Sequence, residues 1–110
     1  LPPERYRTFY PPGRDPFAPE HTTFAPIKRQ PFWGMFGDTW FHRLGPVTDA
    51  EYVASLYDAE IRRVDDGVAE LLEHLDRLGL AEDTLVVLTG DHGESLYQHD
   101  IYFDHHGLYD

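Results

Sequence analysis

A chain of 110 residues, 41% hydrophobic and 15% aromatic, has material for one modest core, which excludes a disordered tail. A formal net charge of −11 disfavours nucleic acid and anionic membrane surfaces as partners, and no apolar run reaches the roughly 18 residues of a membrane span. Cysteine is absent, so disulfides, thiolate nucleophiles and Cys-ligated zinc are excluded, while the compartment stays undetermined.

Residues 1–47 hold all nine prolines and carry six basic against four acidic side chains. Proline removes backbone donors and forbids helix interiors, so this half is expected to be irregular and turn-rich. Its aromatics Phe24, Phe32, Trp33, Phe36, Trp40 and Phe41 need a surface to pack on, and the segment reads as a long loop laid over a larger body. Leu1-Pro2-Pro3 shows no leader pattern and the chain lacks an initiating Met, so it reads as a piece of something longer.

From Thr48 the pattern changes. Three basic and sixteen acidic residues occupy 48–110, a surface that repels anions and is compatible with binding cations, with a solvated helix face as the plainer reading of the excess. Thr48 with Glu51 three residues later predicts a capping box. Val53, Leu56, Tyr57, Ile61, Val64, Val68, Leu71, Leu72, Leu75 and Leu78 then recur at three- and four-residue steps, which predicts a helix over 49–78. Gly67 lies inside it at a cost of about 1 kcal/mol relative to Ala. Gly79 is the expected stop.

After the connection Leu80–Asp83, the stretch Thr84–Thr89 (TLVVLT) is apolar at successive positions without alternation. That predicts a strand covered on both faces in a parallel sheet, and hence an α/β fold whose other strands lie outside these residues. Ligands of open α/β sheets bind beyond the carboxyl ends of strands. Gly90-Asp91-His92-Gly93 falls there: a carboxylate and an imidazole suited to a divalent ion, between glycines that allow a tight turn. The plainer alternative is that Asp91 caps the turn and His92 is incidental. His99, His105 and His106 follow within fifteen residues of Asp91. They can ligate, transfer protons or bind an oxyanion, and Glu94, Asp100 and Asp104 can orient them as hydrogen-bond acceptors.

These residues resemble the sulfatases of the alkaline phosphatase superfamily. The matching series is Y-D-A-E-I…V-D from Tyr57, G-L…D-T-L-V-V from Gly79, and D-H-G-E…H…H…L-Y-D from Asp91 to Asp110; Pro2–Tyr10 (PPERYRTFY) matches more weakly. The resemblance implies a fragment of an α/β sandwich, with an irregular Pro- and aromatic-rich first half, one long helix and one buried strand. It makes residues 1–110 part of one catalytic domain, with 1–47 a loop segment and 48–110 a helix, strand and metal-loop segment. It implies hydrolysis of sulfate esters, with phosphodiesters or phosphonate monoesters as alternatives within the superfamily. It makes Asp91 and His92 ligands of a divalent metal, calcium first, with manganese or zinc as alternatives. It gives contact with the sulfate or protonation of the leaving oxygen to His105, or to His106, since the spacing is ambiguous by one. His99 and Glu94 would support these groups through hydrogen bonds.

The sequence departs from the family in two respects that matter for chemistry. No C/S-x-P-x-R motif, the source of the formylglycine nucleophile, is present, nor is the acidic pair that supplies the other metal ligands. The expectation is an internal slice without turnover of its own. Rival readings are a DHH phosphoesterase on Asp104-His105-His106, a self-contained metal-binding module, and a homologue that binds sulfated ligands without cleaving them.

Overall fold

The computed structural model describes residues 1–31, 33–37, 42–96, 103 and 105. The chain divides into two compact units, Leu1–Ala69 and Glu70–Asp110.

Over residues 1–47 of the first unit the prolines leave only short helical pieces among the described residues. Glu4–Tyr6, Ile27–Arg29 and His42–Leu44 are 3-10 turns, and Trp33–Gly37 is a single π-helical turn. Pro3 and Pro26 stand just before two of them, with φ already at −53° and −60°. The irregular backbone is tied to the segment ahead of the long helix: the Phe24 amide donates to the Thr48 carbonyl at 3.0 Å, and the Thr48 amide to the Pro16 carbonyl at 3.0 Å. Phe24, Ile27 and Val47 are fully buried, each contributing roughly 1.5–3 kcal/mol relative to exposure. Part of the aromatic set finds its surface within the chain. Tyr10 and Phe17 meet Tyr52 edge-on at 5.2 and 6.0 Å, and Phe24 meets Trp33 at 5.6 Å. Phe32, Trp40 and Phe41 lie outside the described residues.

The long helix, α1, is Ala50–Arg77. Its cap is Asp49 rather than the predicted Thr48. Asp49 Oδ1 accepts the Glu51 amide at 3.2 Å, and the Thr23 hydroxyl, from far back in the chain, accepts the Ala50 amide at 2.9 Å. Thr48 is engaged elsewhere: its hydroxyl donates to the Ala18 carbonyl at 2.8 Å and lies 3.0 Å from that of Pro16. Glu51 pairs with Arg14 at 2.6 Å. On α1 only Val53, Ser55, Leu56 and Ala59 are buried; Ile61, Val64, Leu71 and Leu72 are exposed despite their helical spacing. The exposed face carries i,i+3 and i,i+4 pairs, of which Arg62–Asp66 at 3.0 Å and Arg63–Glu60 at 3.2 Å are the shortest.

In the second unit α1 ends as predicted at Gly79, whose φ of +69° is open to glycine at little cost. The Gly79 amide donates to the Asp76 carbonyl at 2.9 Å and the Leu80 amide to that of Leu75 at 3.0 Å, which is the paired closure of a Schellman motif. A 3-10 turn, Ala81–Asp83, follows, and the Thr84 hydroxyl donates to the Leu80 carbonyl at 2.7 Å.

Here the α/β expectation fails. Thr84 has extended angles (φ −118°, ψ 120°), but Thr84–Thr89 forms no strand, and no sheet exists among the described residues. The predicted buried strand is exposed: Leu85 retains 90% of its accessible surface and Val87 77%. The physical reason is that strand propensity only favours an extended backbone, whereas a strand is held by ladder hydrogen bonds to a neighbour. The described fold is one long helix with short helical turns and irregular chain, not an α/β sandwich.

Candidate functional site

The turn after the apolar stretch is set by local hydrogen bonds. Asp91 Oδ1 accepts the backbone N–H of His92 at 3.0 Å, folding the carboxylate back onto the following residue. The His92 Nδ1 atom lies 2.9 Å from the Gly93 carbonyl. A carbonyl only accepts, so the proton sits on Nδ1 and the Nε2 lone pair is left outward. Nε2 then lies 3.8 Å from Asp91 Oδ2. The hydrogen bond to Gly93 raises the pKa of His92 above the ordinary imidazole value, aided by the negative charges of Asp91 and Glu94 and opposed by partial burial.

His105 joins this pair from further along the chain. Its ring stacks on that of His92, with centroids 4.2 Å apart and planes inclined by 22°. Its Nδ1 lies 3.9 Å from Glu94 Oε2. Glu94 is the most covered of the four side chains, and its Oε1 is buried without a hydrogen-bond partner among the described residues. The turn thus brings together Asp91, His92, Glu94 and His105. His99 and His106, together with Asp100 and Asp104, lie outside the described residues.

Could these residues hold a metal ion? Two donors bound to one divalent ion at ordinary bond lengths sit about 3–3.5 Å apart. Asp91 Oδ2 and His92 Nε2, at 3.8 Å, need only a small side-chain adjustment to reach that. The Nδ1–H bond to a backbone carbonyl is also the arrangement that ligating histidines use to fix their tautomer. The pair therefore fits as half a site. No group of three or more His, Asp or Glu able to hold an ion occurs among the described residues.

The first unit contains a second polar cluster that sequence reasoning missed. Asp49, fully buried, receives the Tyr10 hydroxyl at 2.7 Å, Arg14 Nη2 at 2.6 Å and the Thr23 hydroxyl at 3.0 Å, with His21 Nδ1 at 4.0 Å. An aspartate at a helix start was a visible signal, but its partners are 26 and 39 residues away in sequence, and no spacing rule finds them.

A family model described as Sulfatase matches residues 2–109. Over 45 residues the chain is 40% identical to an ulvan-active sulfatase of Formosa agariphila, a stretch that is 41% of this chain but only 9% of that protein. No solved structure matches the chain.

Proposed function

The chain belongs to the sulfatase family, and on that premise we propose that it supplies part of the metal and substrate machinery of a sulfuric ester hydrolase. Asp91 and His92 are the residues that hold a divalent ion, with calcium first by the resemblance and manganese or zinc as alternatives. The ion, when bound, supplies positive charge that offsets the charge of a sulfate ester. The hydrogen bond from His92 Nδ1 to Gly93 keeps the Nε2 lone pair available for it. His105 is the group that contacts the sulfate or gives a proton to the departing oxygen. Glu94, 3.9 Å from the His105 ring, holds that ring in orientation. His106 stands as the alternative to His105, and His99 as a further hydrogen-bonding support. Formylglycine has no precursor in this sequence, so the attacking group comes from residues outside it and the 110-residue chain alone does not turn over ester.

The observation that supports this reading is the convergence of Asp91 Oδ2 and His92 Nε2 with the His92 tautomer fixed by Gly93. Manganese titration of the labelled chain tests it. Added Mn²⁺ is expected to broaden the signals of residues 90–94 first, and Asp91→Asn and His92→Gln are each expected to abolish that selectivity. Unchanged broadening in both variants would rule the pair out as ligands. Hydrolysis of an aryl sulfate by the chain alone would refute the expected lack of turnover.

A further inference from the structure

Within the first unit, a cleft of about 400 Å³ lies between the opening of the chain and α1, lined by Phe9, Asp58, Ile61, Arg62 and Asp65. Phe9 directly precedes Tyr10, which is tied to α1 by its hydroxyl bond to Asp49 and its edge-on contact with Tyr52. The ring is therefore held beside the helix rather than on a free end. Phe9 keeps 49% of its surface exposed and Ile61 54%. Among the described residues the Phe9 ring makes no aromatic or cation contact, so a π-face is open to the cleft.

The charges around that ring do not cancel. Arg62 stands four residues after Asp58, a spacing at which a helix can pair the two. It turns instead to Asp66, at 3.0 Å, with a long contact of 3.9 Å to Asp65. Asp58 is left exposed, with no hydrogen bond or ion pair among the described residues. Three carboxylates, Asp58, Asp65 and Asp66, thus face one guanidinium on this stretch of α1. Arg5, the nearby cation of the opening segment, lies over the Tyr6 ring at 4.8 Å and is not part of the cleft lining.

An open aromatic face beside an unpaired carboxylate recognises a flat cation: the plane stacks on the ring and its N–H groups reach the carboxylate in parallel. An ammonium answers the charge but cannot stack. Phe9 and Ile61 give the apolar stem of such a group something to lie on. The volume falls in the lower part of the range of ligand sites, roughly 300 to 1,000 Å³. The net charge of −11 draws cations to the molecule before contact. We infer that this cleft binds a guanidinium on an apolar stem, the arginine side chain of a peptide partner, with its plane on Phe9 and its N–H groups on Asp58. The site is separate from the hydrolase reading: it needs neither the Asp91 turn nor an ester, so either can fail without the other.

The test is nuclear magnetic resonance titration of the full 110-residue chain with the N-acetyl amides of arginine, lysine and citrulline. Citrulline is the uncharged isostere of arginine, so the comparison isolates the charge. The arginine derivative is expected to shift the Phe9 ring and the Asp58 and Ile61 amide signals. The citrulline derivative is expected to bind at least about fivefold more weakly, and the lysine derivative about threefold more weakly. Rising sodium chloride is expected to weaken the arginine derivative and to leave citrulline unchanged. Asp58→Asn, at an exposed position, is expected to weaken the arginine derivative about fivefold, and Phe9→Leu about threefold, with the helical circular dichroism unchanged. The citrulline and lysine comparisons use the parent chain alone, so they decide the matter even if a variant folds poorly. Equal binding of citrulline or of lysine, shifts that avoid the cleft, parent affinity in a folded Asp58→Asn variant, or no binding of the arginine derivative overturns the inference.

Discussion

Tyr10 donates its hydroxyl to Asp49 Oδ2 at 2.7 Å, joining the proline-rich opening of the chain to the cap of α1 across 39 residues of sequence. The carboxylate it meets is fully buried and also accepts from Arg14, Thr23 and the Glu51 amide. A buried charge is tolerable only when its partners replace the water it has lost, and here four donors do so. Removing it does double damage, because Arg14 is left beside a hole and the first turn of α1 loses its cap. Asp49→Ala is expected to lower unfolding free energy by about 3 kcal/mol, and Tyr10→Phe by about 1.5 kcal/mol. Urea denaturation followed by circular dichroism measures both, and an Asp49→Ala midpoint equal to the parent's would show that the cluster does not hold the fold.

The same pair predicts a pH profile. Burial pushes the Asp49 pKa up, but hydrogen bonds from Tyr10, the Glu51 amide and Thr23, with the charge of Arg14, outweigh it and leave the carboxyl below its ordinary 3.8. A depressed acid stabilises the fold above the unfolded pKa, and the contribution is lost as pH falls through the lower folded value. The acid limb therefore lies below about pH 4. Tyr10 goes the other way: burial, then the bond to Asp49, push its phenol up to about 12. Its contribution is complete below pH 10 and is lost between 10 and 12. The stability difference between the parent and Tyr10→Phe is expected to shrink over that alkaline window. A difference that stays constant from pH 9 to 12 would contradict the assignment.

How much of this was legible in the sequence depended on how local each cause is. The helix was legible because its spacing and its Gly79 stop act within a few residues, and its bounds differ from expectation by one residue at each end. The cap was misplaced by one because Thr48 is held by the carbonyls of Pro16 and Ala18, partners that only the folded chain supplies. The strand at Thr84–Thr89 was not legible, since apolar content reports a tendency while pairing needs a neighbour. At the candidate site the adjacency of Asp91 and His92 could be read directly. The stacking of His105 on His92 could not, because nothing in the spacing brings those rings together.

Gly67 inside α1 and Gly79 just past its end predict effects of opposite sign. At Gly79 the backbone is left-handed, φ +69°, so Gly79→Ala is expected to cost about 1 kcal/mol. At Gly67, in the helix interior, an added Cβ would meet nothing within 4 Å. Gly67→Ala is expected to stabilise by up to about 1 kcal/mol, by limiting the unfolded chain and improving helix propensity. Thermal unfolding of the two variants side by side checks the pair, and a loss of stability in Gly67→Ala would reveal a close neighbour at that face of the helix.

His92 and His105 are stacked yet are assigned different work, and substitution can separate them. His105→Ala is expected to leave divalent-ion affinity within about threefold of the parent, whereas His92→Ala lowers it on the order of tenfold or more. On the proposed reading, His105→Ala in a longer protein that carries the nucleophile is expected to lower kcat by about a hundredfold or more while binding of the ion persists. Calorimetric titration of the ion and single-turnover kinetics measure the two effects. Equal loss of ion affinity in both variants would make His105 a ligand and undo the division of roles.

The exposed run Leu85–Leu88 predicts how the chain behaves in isolation. Four consecutive apolar residues lie open to water, in a unit whose helix also exposes Leu71 and Leu72. Each leaves hydrocarbon hydrated that would gain roughly 1.5–3 kcal/mol on full burial, so chains at raised concentration gain by covering one another. The run is also short, free of proline and uncharged, the pattern that favours strand-like association between chains. Leu85→Lys with Val87→Lys places two charges in it without touching a buried residue, and charge at an exposed segment opposes such pairing. The double variant is expected to raise the concentration at which the chain stays monomeric by sedimentation velocity, with the α1 circular dichroism signal unchanged. If it self-associates as readily as the parent, the apolar run is not what brings chains together, and the exposed face of α1 around Ile61 and Val64 becomes the surface to alter next.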